Sequence, residues 1–209
     1  MSTNKAWFKT RSKLYGKRLY EVRDEKPRFL IVCEGAKTEP LYFEGFRISS
    51  VKVEIFKGAG MHMSVVERAK QLNDEYAPYD YTWCVFDKDK NLKDPEHDAK
   101  FNAAIFSALA QGFKVAYSVD AFELWYLLHF QFFDTAISRS DYVKKLKSLV
   151  PGGYTKNRID MYEILEPMMD VAIKNAKKLY AKNHIENPAK ADPSTTIYQL
   201  VEELRKLAK

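Results

Sequence analysis

The residues best suited to chemistry in this sequence are acids, and they recur at one kind of position, the ends of short apolar runs. Arg28-Phe-Leu-Ile-Val-Cys33 leads straight into Glu34, with Glu39 close behind. Tyr81-Thr-Trp-Cys-Val-Phe86 leads into Asp87 and Asp89, a D-x-D spacing. The run from Lys114 to Val119 is followed by Asp120 and Glu123. If these runs are neighbouring strands of a parallel sheet, their acids meet at its carboxyl edge, where open α/β sheets bind ligands. Clustered carboxylates repel one another unless a divalent cation neutralises them. An all-oxygen donor set with room for water and phosphate suits Mg²⁺ or Mn²⁺. Such a site aligns a phosphodiester, activates a water and stabilises the leaving oxygen. A D-x-D alone is as readily a solvated loop, and a lone Glu after a strand a helix-start charge; the combination at adjacent strand ends points to a site.

Other candidates are weaker. Lys37, three residues past Glu34, is either a phosphate contact or a solvated lysine. His129 lies six residues beyond Glu123, so on a regular helix it sits about 240° round and roughly 9 Å further along. It reads as a packed, hydrogen-bonded histidine, with proton transfer as the alternative. Gly58-Ala-Gly60 lacks the third glycine of a dinucleotide loop and follows the wrong strand, and no G-x-x-x-x-G-K-[ST] is present, which excludes P-loop ATP hydrolysis. His62, His97 and His184 read as isolated surface or packing residues. Met61, Met63, Met161, Met168 and Met169 read as gap-filling core or helix contacts. Tyr42, Phe43, Trp125 and Tyr126 read as core.

The elements that must position these acids follow from hydrophobic period. Residues 28–33, 51–56, 81–86 and 114–119 are short, β-prone apolar runs and are expected to be strands. Between them lie a helix capped by Thr38, with Glu39 and Pro40 in its first turn, and helices over about 64–76 and 98–110. The segment Phe122 to Phe132 is strongly apolar and is expected to be a helix packed on the sheet. From there the sequence reads as all helix: 140–149, closed by Pro151-Gly152-Gly153; about 160–182, restarting at Pro167; and a last helix from near Ser194. Strands alternating with helices imply a four-stranded parallel sheet with right-handed crossovers, followed by a C-terminal helical region.

Composition bounds the remaining possibilities. The 209 residues are 46% hydrophobic and 30% charged, which suits a folded domain and excludes wholesale disorder. There is no run of 18 uncharged apolar residues, so no membrane partner is expected, and the N-terminus lacks the apolar stretch of a secretory signal. Cys33 and Cys84 are the only cysteines; each lies in a strand-like run and is expected to be a buried thiol of a reducing cytoplasm, which also excludes a Cys-rich zinc site. Residues 1–28 hold nine cations against three anions, which accounts for the whole net charge of +6. Lys5, Lys9, Arg11, Lys13, Lys17 and Arg18, interleaved with Trp7, Phe8 and Tyr15, make an arm suited to phosphate contact and base stacking. The alternative is a solvated terminus.

Three stretches resemble the RloB family, Toprim-like proteins of bacterial anti-phage (abortive-infection) systems. They are Val32-Cys-Glu34-Gly35-Ala-Lys37-Thr38-Glu39-Pro40-Leu-Tyr42-Phe43, Phe122-Glu123-Leu124-Trp125-Tyr126-Leu127-Leu128-His129-Phe130, and Pro193-Ser194-Thr195-Thr196-Ile197. One departure stands out: Val119-Asp120-Ala121 occupies the place of an expected Asn-Pro-type turn. The resemblance implies a Toprim-like sheet whose metal chemistry uses Glu34, Asp87 and Asp89. In that scheme Asp87 and Asp89 bind Mg²⁺ or Mn²⁺, and Glu34 completes the shell or acts as general base. Glu39 and Glu123 support those ligands or hold a second ion. It further implies a metal-dependent nuclease acting on DNA, RNA or tRNA, controlled by an ABC/SMC-type ATPase. The alternative is a non-catalytic, partner-regulated nucleotide- or nucleic-acid-binding module. The expected organisation is a basic arm over 1–27, a Toprim-like core over 28–135 and a helical subdomain over 136–209, with homo-oligomerisation open.

Overall fold

The computed structural model describes residues 26–76, 79–89, 94–183 and 186–208. The arm residues Lys5, Lys9, Arg11, Lys13, Lys17 and Arg18, and also His184, lie outside the described residues.

Four parallel strands form where the apolar runs place them: β1 (Arg28–Cys33), β2 (Lys52–Phe56), β3 (Tyr81–Asp87) and β4 (Lys114–Val119). Helices α1 (Thr38–Glu44), α2 (Met63–Glu75) and α3 (His97–Ala110) connect them. After β4 come α4 (Glu123–Phe130), α5 (Arg139–Leu149), α6 (Met161–Leu165) and α7 (Met169–Asn183). The chain ends in β5 (Ser194–Thr195) and α8 (Ile197–Leu207). The sheet order is β2-β1-β3-β4-β5. The restart at Pro167 is a 3₁₀ turn, Glu166–Met168, between α6 and α7.

Two expectations are corrected. Among the described residues the sheet has five strands rather than four, because Ser194 and Thr195 pair antiparallel with Val119 and Ser118 instead of opening the last helix. The reason lies at the outer edge of β4, whose buried backbone groups need partners. Thr196 supplies both kinds: its N–H donates to the Tyr117 carbonyl at 2.8 Å, and its hydroxyl oxygen accepts from the Tyr117 N–H at 2.9 Å. Thr38 is also not the cap of α1 but its first residue. Lys37 occupies the cap position, and the Thr38 hydroxyl faces the Lys156 carbonyl at 3.5 Å.

Strand alternation sorts the core onto two faces. Leu30, Val32, Cys84 and Phe86 point to the side covered by α2 and α3, where they meet Val65, Val66, Phe101 and Ile105. Phe29, Ile31, Cys33, Trp83 and Val85 point to the other side, against α1, α4 and the C-terminal helices. Cys33 and Cys84 therefore face opposite ways; both are buried and free. Burial pushes the Cys84 thiol up to about 12, so it stays protonated.

The second face is aromatic. Tyr42, fully buried, has ring contacts with Phe43, Phe46, Phe122, Trp125, Tyr126 and Tyr162, mostly edge-on. These residues of α1 and α4 pack continuously with Tyr142, Leu146, Met161 and Met169 of the C-terminal helices. That packing fixes α4 and α5 over the carboxyl ends of the strands. Among the described residues, no helix is long and apolar enough to cross a membrane.

Candidate functional site

Each acid is held by local backbone geometry before any side chain is considered. Past β1, the Glu34 N–H donates to the Val85 carbonyl at 2.9 Å, so the chain stays alongside β3 for one more residue. The loop after β2 folds onto this turn: Gly58 N–H donates to the Gly35 carbonyl and Ala59 N–H to the Cys33 carbonyl. Gly58 and Gly60 take positive φ there, which a glycine adopts without steric cost. Gly35 has a second function in the turn. A Cβ at that position would overlap the carboxylate of Glu39, so the missing side chain is what seats Glu39 beside Glu34.

Asp87 is the last residue of β3 rather than the first after it. Beyond it the Lys88 and Asp89 N–H groups donate to the carbonyls of Ser118 and Asp120, at 2.8 and 3.0 Å. Asp89 sits in the left-handed region, φ 43°, which Asp tolerates better than most residues. The loop is also fastened from behind. His62 and His97, expected to be isolated, instead form a buried pair with ring centroids 5.1 Å apart. His62 Nε2 bonds the Asp87 carbonyl at 3.1 Å and His97 Nε2 bonds the Lys88 carbonyl. A carbonyl only accepts, so both rings carry the proton on Nε2. Lys88 is itself buried and bonds the Ala189 carbonyl and Asp98. Met61, expected as a gap-filling core or helix contact, is more than half exposed in the loop between β2 and α2.

Six residues anticipated for the site line one cavity of about 320 Å³: Glu34, Lys37, Glu39, Asp87, Asp89 and Glu123. Glu123, first residue of α4, accepts a hydrogen bond from the Tyr154 hydroxyl at 3.1 Å. Asp87 accepts one from the Phe122 N–H at 2.9 Å, which ties the end of β3 to the start of α4. The segment at the unexpected Val119-Asp120-Ala121 thus still delivers Glu123 to the cavity, and the Val119–Asp120 peptide is cis. Asp120 is buried and does not line the cavity. His129 does not line it either: its Nδ1 bonds the Trp125 carbonyl one turn earlier in α4 at 2.9 Å, and its side chain is buried. Burial lowers its pKa to about 4, so it is neutral. Lys37 is exposed at the cavity's mouth.

Three lining residues escape a reading of the sequence: Arg139 from the first turn of α5, and Lys156 and Asn157 from the loop between α5 and α6. Arg139 is the most consequential. Its Nη2 lies 2.8 Å from Asp87 Oδ2 and 2.7 Å from Asp89 Oδ1. Its Nη1 donates to Asp89 Oδ2 at 3.1 Å, and its Nε stands 3.8 Å from Glu123. The one signal in the sequence is spacing, since Arg139 is the first Lys or Arg after Lys114.

Five carboxyl groups, Glu34, Glu39, Asp87, Asp89 and Glu123, line the cavity against three cations, Lys37, Arg139 and Lys156. Burial pushes the Glu34 carboxyl up to about 7, with Asp89 and Glu39 adding to the rise and Arg139 opposing it. Burial likewise raises Glu39, with Glu123 next. Asp87 rises well above the usual carboxylate range through burial and then Glu39, despite its contact with Arg139. Clustered carboxyl oxygens of this kind fit a hard divalent cation, whose charge would favour their ionised forms. Among the described residues, no three side chains already stand as a ligating group, and the Arg139 guanidinium fills the space between Asp87 and Asp89.

A family model described as RloB-like protein matches residues 29–204 of this chain. No curated protein and no solved structure matches it.

Proposed function

The chain belongs to the RloB-like protein family, and from that premise we propose that it is a metal-dependent nuclease, the effector of a bacterial anti-phage system controlled by an ABC/SMC-type ATPase. One observation carries the reading: carboxylates from the ends of β1 and β3 and from the first turns of α1 and α4 line a single cavity at the carboxyl edge of the sheet. Asp87 and Asp89 hold Mg²⁺ or Mn²⁺, and Glu34 completes the set or accepts the proton of the attacking water. Glu39 and Glu123 support those ligands or hold a second ion. When bound, the ion supplies electrostatic stabilisation of the negative charge that develops as a phosphodiester is cleaved. Lys37 and Lys156, exposed at the mouth, bind and orient phosphate oxygens, and Asn157 adds a neutral hydrogen-bonding group beside them. The basic arm over residues 1–27 holds the polynucleotide by charge.

A second reading is favoured by a different observation. Arg139 already bridges Asp87 and Asp89, an arrangement that suits a non-catalytic module whose acids serve structure. The deciding experiment is cleavage of labelled DNA, RNA and tRNA with Mg²⁺, Mn²⁺ or EDTA, comparing the wild type with Asp89→Ala, each with and without the partner ATPase. Cleavage that needs metal and is lost in Asp89→Ala supports the nuclease. Equal cleavage by both proteins, or none under any condition, refutes it, and the latter leaves the binding module.

A further inference from the structure

The guanidinium of Arg139 occupies the position at which a cation shared by Asp87 and Asp89 has to sit. One nitrogen, Nη2, is within 2.8 Å of an oxygen from each carboxylate, and the second oxygen of Asp89 is taken by Nη1. Asp89 therefore has both oxygens engaged by a single side chain. The remaining Asp87 contact is the Phe122 N–H, which shares Oδ2 with Arg139. A doubly charged ion placed among these oxygens would stand within a few ångströms of a guanidinium that cannot lose its proton, and like charges at that separation repel strongly inside a protein. Arg139 is also able to leave. It stands in the first turn of α5, and about one third of its side chain is exposed, whereas Asp87 is almost wholly buried. Asp87 cannot withdraw from a cation; Arg139, like Asp89 with about two fifths of its side chain exposed, has room to move.

We propose that Arg139 is a built-in counter-cation that competes with the divalent metal for Asp87 and Asp89 and thereby sets the metal affinity of the site. This rests on the metal-binding reading above. In the absence of metal, Arg139 holds the two carboxylates together against their repulsion; metal binding displaces it toward the open cavity. Arg139 is a positioning residue in this scheme, and its effect has a definite sign. Removing an arginine that helps assemble the metal site would weaken metal binding, whereas removing a competitor strengthens it.

The test is Mn²⁺ binding to the full-length chain, followed by electron paramagnetic resonance, for wild type, Arg139→Gln and Asp89→Asn. Arg139→Gln is expected to bind Mn²⁺ at least tenfold more tightly than wild type, and Asp89→Asn at least tenfold more weakly. Unchanged or weaker binding by Arg139→Gln, with binding still lost in Asp89→Asn, overturns the competition and leaves the metal site standing. Binding that ignores Asp89→Asn, or no binding by any of the three, overturns both. Should Arg139→Gln fail to fold, the wild type provides the same answer by NMR. The arginine Nε–H resonance missing from Arg139→Lys is assigned to Arg139, and it is expected to move on Mg²⁺ titration with the same midpoint as metal binding. A resonance that stays fixed through saturation refutes displacement.

Discussion

His129 offers a quantitative check on the packing beneath α4, and it is independent of any activity. Its ring is buried against Trp125, with centroids 4.8 Å apart, and burial lowers its pKa from 6.5 to about 4. In the unfolded chain the same imidazole titrates near 6.5. Above pH 6.5 both states are neutral at this position and His129 has no effect on the pH dependence. As pH falls below 6.5 the unfolded state takes up a proton that the folded state refuses, so stability is lost, and the loss levels off below about pH 4. The full span is about 3 kcal/mol; between pH 7.5 and pH 5 the share is about 2 kcal/mol. His129→Phe keeps the ring volume and removes the titration. Urea unfolding of both proteins at pH 7.5, 6 and 5 isolates the effect, because the raised carboxyls of the cavity contribute equally to each. The stability of wild type relative to His129→Phe is expected to fall by about 2 kcal/mol across that range. Parallel pH profiles would refute the assignment of a neutral, buried His129.

Gly35→Ala is expected to cost about 1 kcal/mol in urea unfolding, the low end for forcing extra atoms into a filled site, because its Cβ overlaps the carboxylate end of Glu39, a flexible side chain that can give way in part. Glu39→Ala in the same chain should relieve more than about 0.5 kcal/mol of that cost, and strict additivity would show that the two residues are not in contact. Removing residues 1–27 takes away eight cations, Lys5, Lys9, Arg11, Lys13, Lys17 and Arg18 together with Arg23 and Lys26. It is expected to flatten the log–log salt dependence of duplex binding by as much as about seven, at roughly 0.9 for each phosphate that the arm neutralises; an unchanged slope would exclude the arm from the interface.

Much of the fold was legible because its signals are local. A parallel strand buried on both faces has to be a continuous apolar run, and residues 28–33, 81–86 and 114–119 are such runs. The acids at their ends are legible as types and positions, and to be neighbours they require in addition only that β1, β3 and β4 be adjacent in one sheet. That adjacency holds: the sheet order is β2-β1-β3-β4-β5, and Glu34, Asp87, Asp89 and Glu123 reach one cavity. The two-residue β5 was missed because so short a strand has no period to detect. It exists because the outer edge of β4 is buried, which is a property of the assembled sheet. His62 and His97 were missed for a related reason: 35 positions apart, they are joined only when α2 and α3 pack on the same face.

The sequence by itself determined the alternation of strands and helices, the two-faced core and the identity of the acids at the carboxyl edge. All of these follow from the side-chain period and from where an apolar run stops. The tertiary structure alone decided what balances those acids. Arg139 lies 52 and 50 residues from Asp87 and Asp89, at a helix start where Ser138 caps the first turn and any exposed residue would serve the helix equally well. Lys156 and Asn157 come from a loop further still along the chain. Charge pairing depends on distance through space, and no local pattern encodes which helix is laid over which strand end. That placement follows from the packing of α4 and α5 on the aromatic face around Tyr42, and with it the cation that stands between Asp87 and Asp89.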